Sequence, residues 1–312
     1  MSTVAQTNQQ PPVEHHMSAD ELATLNQPTH DWKWWAGMIG SIAGMAFIVI
    51  YCILPFYWMI VSSLRLPSEG RSTELIPSPA SIENYIGVFD PRNNFGIALF
   101  NSVLVSSVTT ILTLLFGIMA AYALARLRFR AKGLVLSIII GCSMFPGITL
   151  LIPLFKMFTG AYPWFPANWM NTYQAIIIPS LSFGLPLCVW NLTAFFRQLP
   201  VELEQAAMVD GCTPGQAFMK VILPLAAPGV FTTAIITFIA VWNEFMIAYT
   251  FGTRPEMYTA VNALSRFTGQ YGFDTPWGTI MAAGVLLTVP LLIVVLIFQR
   301  RIVAGLTAGG VK

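Results

Sequence analysis

Five side chains combine aromatic faces with hydrogen-bonding groups inside otherwise apolar runs: Trp190 and Asn191 in one run, and Trp242, Asn243 and Glu244 in another. Glu244 is the most informative, because a carboxylate within a bilayer is costly and faces a cavity or a partner. Flat rings that stack, joined to amides and carboxylates that hydrogen-bond, suit a ligand with both apolar faces and polar groups. The five therefore form a candidate lining for the path of a polar solute. The same acid is also the group that a stand-alone ion-coupled carrier would load with a proton or a cation. On a continuous helix about 20 residues separate Pro224 from Glu244, or about 30 Å, so the acid falls toward the outer side of a span.

Catalytic chemistry has no comparable foothold. The sequence contains no G-x-x-x-x-G-K-[ST] loop, no H-E-x-x-H pair and no G-x-S-x-G elbow. His15, His16 and His30 all lie in the N-terminal segment, away from any base a membrane hydrolase would use. Cys52, Cys142 and Cys188 sit in apolar runs and Cys212 in a polar one, with neither a disulfide framework nor a metal spacing. The expectation is a chain that is not an enzyme, with no metal and no cofactor of its own. A net charge of +2, spread along the chain, gives no reason to expect a nucleic-acid partner.

Between two apolar runs lies a polar island, Pro200 to Pro224, that reads as two short helices and a sharp turn. Pro200 suits a first helical position, and Glu202 and Glu204 place negative charge at the positive end of the helix dipole. Ala206 and Ala207 favour helix while keeping one side flat. Asp210 is the expected last helical residue, and Gly211 can take the left-handed conformation that ends a helix. Thr213, Pro214 and Gln216 then supply a capping Thr, a proline at the first position and the Gln of a capping box. The second helix is expected to continue through Phe218, Lys220 and Val221 toward Leu223 and Pro224.

The elements that position these groups follow from hydropathy. With 55% hydrophobic and only 10% charged residues, against about 25% charged in soluble domains, the chain is a membrane protein. A helix needs about 20 apolar residues to cross a bilayer. Six runs qualify: Trp35 to Leu64, Phe95 to Leu124, Leu134 to Phe158, Tyr173 to Phe196, Leu225 to Phe251 and Ile280 to Phe298. Trp32, Trp34 and Trp35 are interfacial anchors for the first. Arg126, Arg128, Arg130 and Lys132 lie between spans two and three, and Arg300, Arg301 and Lys312 follow span six. By the positive-inside rule both segments, both termini and the island are cytoplasmic.

Residues 1–33 are expected to form a flexible tail, residues 34–299 the membrane domain and residues 300–312 a basic tail. Outside, the loop from Gly252 to Pro276 is rich in aromatics, with Tyr258, Phe267, Tyr271 and Phe273 beside Arg266; they either meet a soluble partner or rest at the membrane interface. Pro146, Pro153, Pro179, Pro186 and Pro290 bend the spans that contain them. Asn101, in span two, is a candidate for a hydrogen bond between helices.

The island resembles the cytoplasmic loop of ABC importer permeases, whose pattern is E-A-A, three residues, Gly, nine residues, then I-x-L-P. Here it reads Gln205-Ala206-Ala207, Asp210-Gly211 and Val221-Ile222-Leu223-Pro224, with every spacing kept. Gln205 replaces the family's Glu and removes a charge, for which Glu204 next to it is the candidate replacement. From the first span onward the chain is similar to the smaller permease subunit of maltose- and trehalose-type sugar importers. Phe195-Phe196-Arg197, Ala217-Phe218, Trp242-Asn243-Glu244-Phe245 and the ending from Gln299 to Gly309 carry this likeness. The ending, with Met144-Phe145-Pro146, resembles the trehalose and maltose permeases of actinobacteria most.

The resemblance implies an all-α, six-span, type I ABC importer permease in the cell (plasma or inner) membrane. It would pair with a second, homologous permease subunit to form the path for a di- or oligosaccharide. Two ABC ATPase subunits would bind ATP and Mg, and an extracellular substrate-binding protein would deliver the sugar. Residues 197–224 would be the coupling loop, with Glu204, Gln205, Ala206, Ala207, Asp210, Gly211, Pro214, Leu223 and Pro224 at the ATPase contact. Two other readings stand beside it: an ion-coupled carrier using Glu244, and a structural membrane anchor for a cytoplasmic complex.

Overall fold

A computed structural model of the chain describes residues 32–70, 72–165, 168–267 and 275–310. Of the expected 1–33 tail, residues 1–31 lie outside the described residues, as do Tyr271, Phe273 and Lys312, while Trp32 and Lys33 already belong to a helix; Arg300 and Arg301 are described as helical backbone. The chain divides into two units, Met1–Phe56 and Tyr57–Lys312. The described part of the first belongs to helix α1 (Trp32–Ser63), apolar on every side and exposed along this stretch, the pattern of a helix whose solvent is lipid.

In the second unit, a short helix α2 (Glu83–Val88) precedes the long α3 (Phe95–Arg126). Then follow α4 (Lys132–Ser143), α5 (Gly147–Phe158) and α6 (Tyr173–Gln198). The island gives α7 (Val201–Val209), α8 (Pro214–Ala217), a π turn over Phe218–Ile222 and a single turn α9 (Leu223–Leu225). The chain closes with α10 (Ala227–Trp242), α11 (Met246–Phe251), α12 (Ala260–Leu264) and α13 (Trp277–Gly310). No strand occurs among the described residues.

Among the described residues four helices are long and apolar enough to cross a membrane, and six spans result if each of two bent pairs counts as one. The first pair carries a bend expected from its prolines, and the second corrects the straight reading of the fifth span. In the third span α4 and α5 meet at 85°. Proline disfavours helix in the residue before it, and Pro146 itself is extended (φ −62°, ψ 114°), so the chain turns at Met144-Phe145-Pro146. Pro153, Pro179, Pro186 and Pro290 all stay inside their helices. The fifth span was expected to run unbroken from Leu225 to Phe251, but it bends by 71° at Ala226 and stops at Trp242.

The centre of the unit is the pair α3 and α6, with α10 laid against both and α13 against α10. Small and hydroxyl side chains make this possible. Ser102, Ser106, Thr109, Thr113, Gly117 and Ala121 follow one another at helical spacing on the buried face of α3. Close approach of backbones is how helices associate where lipid removes the hydrophobic drive. At Gly117 a Cβ would lie 2.4 Å from the Cys188 sulfur of α6, so only glycine fits beside that thiol.

Polar side chains fasten the end of the bundle where α3 begins. Asn101 donates to the carbonyls of Glu256 (2.8 Å) and Tyr258 (3.0 Å) and accepts from the Tyr173 hydroxyl (2.8 Å), so it ties α3 to a loop as well as to α6. In the aromatic loop, Arg266 is stacked between Tyr249 (4.3 Å) and Tyr258 (4.6 Å), and Phe267 is buried against Phe95. These two loop aromatics are thus engaged inside the chain.

Candidate functional site

The island folds nearly as its caps dictate. Pro200 is extended (φ −57°, ψ 134°) and stands just before α7, one position earlier than the first-turn place expected of it. At the other end Asp210 closes the helix and Gly211 has φ 90°. The Gly211 N–H donates to Met208 O (3.1 Å) and the Cys212 N–H to Ala207 O (3.0 Å), the paired bonds of a Schellman stop. Thr213 and Gln216 close a full capping box: Thr213 Oγ1 accepts from the Gln216 N–H (3.3 Å) and Gln216 Oε1 from the Thr213 N–H (2.9 Å).

Beyond Ala217 the expected regular helix gives way to the π turn, a feature that marks functional sites more often than chance. It ends at buried Ile222, and Leu223 and Pro224 lead straight into the 71° bend. Gln205, Ala206, Asp210, Gly211, Pro214 and Pro224 are exposed, Leu223 is half-buried and Ala207 is buried. Val209 is 87% exposed, with Met208 also outward, so the end of α7 presents an unpartnered apolar tip.

Glu204 does not take the place of the missing Gln205 charge on that open surface. Its carboxylate turns back to the end of α3, where Oε1 accepts a 2.5 Å hydrogen bond from the Tyr122 hydroxyl and Oε2 lies 3.7 Å from Arg126 Nε. Both charged side chains are largely buried. Arg126 also donates to the Leu199 carbonyl (2.8 Å), at the joint between α6 and the island. No local pattern in the sequence announces this contact, because 82 residues separate Tyr122 from Glu204.

The five path candidates do not converge. Trp242 is 2% exposed and stacks on Phe238 (5.8 Å) in a core cluster with Phe95 and Phe267. Asn243 is exposed and its amide donates to Ile239 O (2.8 Å). Trp190 is 48% exposed and lies on an open face of α6 with Phe183 and Leu187, at spacings of four and three residues, while Asn191 is half-buried. Glu244 joins that face. With Phe183, Leu187, Ile236 and Val241 it lines a recess of about 150 Å³. Phe183 also lines a larger apolar cavity of about 680 Å³ between α6 and the bent pair α4/α5, bordered by Phe145, Tyr162 and Trp164.

The carboxylate of Glu244 has a structural occupation. Its two oxygens accept from the N–H groups of Ile247 (2.8 Å) and Ala248 (3.0 Å), so it caps α11 where the span resumes. A cap of this kind is worth about 1 kcal/mol, and it gives the acid a structural role that the ion-coupled reading does not require. Glu244→Gln keeps one acceptor for the two N–H groups, whereas Glu244→Leu keeps none. The expected result is that Gln lowers the melting temperature of the purified chain slightly and Leu lowers it more, by the equivalent of about 1–2 kcal/mol.

Among the described residues no group of three or more His, Cys, Asp or Glu could hold a metal ion. Comparison with known proteins agrees with the helical layout. Residues 113–307 match the family described as "Binding-protein-dependent transport system inner membrane component". The trehalose transport system permease protein SugB of Mycobacterium tuberculosis is 43% identical over 265 residues, 85% of this chain and 94% of that protein. The trehalose/maltose transport system permease protein MalG of Thermococcus litoralis is 40% identical over 272 residues, 87% of this chain and 95% of that protein. A bacterial ABC transporter involved in the import of the acidic polysaccharide alginate superimposes with a TM-score of 0.70 at 19% identity, covering 85% of this chain and 95% of that one, which shows a common fold. The chain belongs to the inner membrane components of binding-protein-dependent transport systems, the non-enzymatic permease subunits of ABC importers.

Proposed function

We propose that this chain forms half of the membrane path of a sugar-importing ABC transporter and that trehalose or maltose is its cargo. The observation that carries the sugar assignment is the pair of relatives, 43% and 40% identical across nearly their whole lengths, whose names specify trehalose and trehalose/maltose transport. A second, homologous permease supplies the other half of the path. Two ATPase subunits bind ATP and Mg, and an extracellular binding protein delivers the sugar. A relative of the fold, the alginate transporter, is described in complex with a pentasaccharide-bound periplasmic protein.

In this reading the 200–224 loop and both termini face the cytoplasm, as the basic segments around Arg128 and Arg300 favour. The exposed end of α7, with Val209, Met208 and Gln205, docks on an ATPase subunit, and closure of the ATPases moves the loop as a body. The open face of α6, from Phe183 to Trp190, borders the sugar path together with the Glu244 recess. Trp242 plays no direct part in it.

The test is co-purification of the chain with the neighbouring permease, ATPase and binding protein, followed by a panel of sugars scored by stimulation of ATP hydrolysis. Trehalose or maltose is expected to stimulate most. Stimulation by phosphorylated glycerol or by peptides, with no response to sugars, would overturn the sugar assignment and leave the permease assignment standing.

A further inference from the structure

The loop is joined to the spans by two connections at which the α-helix is interrupted. On the α6 side the chain passes through Leu199 (φ −72°, ψ 134°) and Pro200, both extended, with no helix continuing across them. On the α10 side it passes through the π turn and then a 71° bend at Ala226. Neither joint is a straight, continuous α-helix, so the backbone alone does not make the loop and its flanking spans one rod. A loop that must move spans as a body needs a stiffer attachment.

The side chains around the end of α3 supply one. Tyr122 receives both halves of the loop: its hydroxyl donates to Glu204 of α7 (2.5 Å), and its ring lies 4.4 Å from the ring of Phe218, the first residue of the π turn. Phe196, near the end of α6, closes the aromatic group at 6.1 Å from Tyr122 and 6.3 Å from Phe218. Arg126, one turn further along α3, sits 3.7 Å from the same carboxylate and holds the Leu199 carbonyl. Thus one span contacts α7, the π turn and the α6 joint at once.

We propose that Tyr122, Arg126 and Glu204 form a strut that transmits displacement of the 200–224 loop into α3, and through its tight packing with α6 into the centre of the bundle. This rests on the reading of the loop as the ATPase contact. The three are positioning residues: none needs to touch sugar or nucleotide. The charge of Glu204 is used within the chain, while neighbouring Gln205 faces outward uncharged. Docking and transmission are therefore assigned to adjacent residues of one helix.

The experiment uses the assembled importer, with its partner permease, ATPases and binding protein, in liposomes, and reads ATP hydrolysed per sugar transported. Tyr122→Phe removes only the hydroxyl, and Glu204→Gln keeps an acceptor but loses the charge. Each is expected to raise the ATP-to-sugar ratio by about fivefold or more, the lower end of ordinary coupling between sites. The double variant is expected to be no worse than the poorer single one, because both changes break the same link. If Glu204→Gln fails to assemble, Tyr122→Phe, which leaves the ring packing intact, decides alone. An unchanged ratio in the assembled single variants, or fully additive losses in the double, would overturn the strut. A parallel Gly211→Pro complex separates the two readings. If it is uncoupled while the strut variants are normal, only the strut fails; if it too is normally coupled, the loop itself is not the coupling element.

Discussion

Replacing Gly211 with proline is expected to abolish sugar uptake by the assembled importer while the chain still inserts in the membrane at normal levels. Gly211 sits at φ 90°, and proline fixes φ near −65°, so the turn cannot be kept. The change also deletes the N–H that donates to Met208 O, and it disfavours the helical conformation of Asp210, whose φ is −73° and ψ 7°. The Schellman stop is lost, and α7 and α8 can no longer be held at their present angle. Gly211→Ala is the informative partner. A Cβ there meets no atom within 4 Å, so alanine suffers only the left-handed strain of about 1–2 kcal/mol, and uptake should fall in part. Uptake assays with the complex quantified in the membrane check both; normal coupled uptake by the proline variant would contradict the role of the loop.

The second large effect separates two tryptophans that looked equivalent in sequence. Trp242→Ala removes a buried ring from a core cluster whose other members include Ala98, Ala260, Ala263, Ala282 and Ala283, side chains too small to fill the space. In soluble cores such a change costs about 3–5 kcal/mol. In a bilayer part of the transfer term disappears, because lipid is as apolar as the core, and the lost packing remains, leaving a cost on the order of 3 kcal/mol. Trp190→Ala, with the ring half-exposed on α6, is expected to leave the stability of the purified chain within about 0.5 kcal/mol. In the assembled importer its effect should appear as weaker sugar-stimulated ATP hydrolysis. Thermal unfolding in detergent and the sugar dose response check the pair, and the reverse assignment, Trp242 changing sugar response with no loss of stability, would contradict the structure.

The features legible in the sequence are those set by neighbours in the chain. Gly211, Thr213 and Gln216 announce their turn and cap because the bonds involved span three to five residues, and the apolar runs announce spans because length and hydropathy suffice. Three features were not legible. Prolines signal bends, yet Pro146 breaks its span while Pro179 and Pro186 do not, since the outcome depends on whether the neighbouring packing of α6 against α3 outweighs one lost hydrogen bond. Trp242 and Trp190 cannot be told apart by hydropathy, because an apolar run does not reveal which face meets the chain's own core. Glu204 and Gln205 differ by one position on a helix, about 100° of rotation, and that turn sends one carboxylate inward to Tyr122 and leaves the amide outside.

The most direct test compares the chain alone with the assembled importer, each reconstituted in liposomes with a trehalose or maltose gradient to work against. Sugar is expected to accumulate with the complete assembly, ATP and binding protein, and not with the chain alone under a proton or sodium gradient. Uphill uptake by the chain alone in response to either ion gradient would contradict the proposed function.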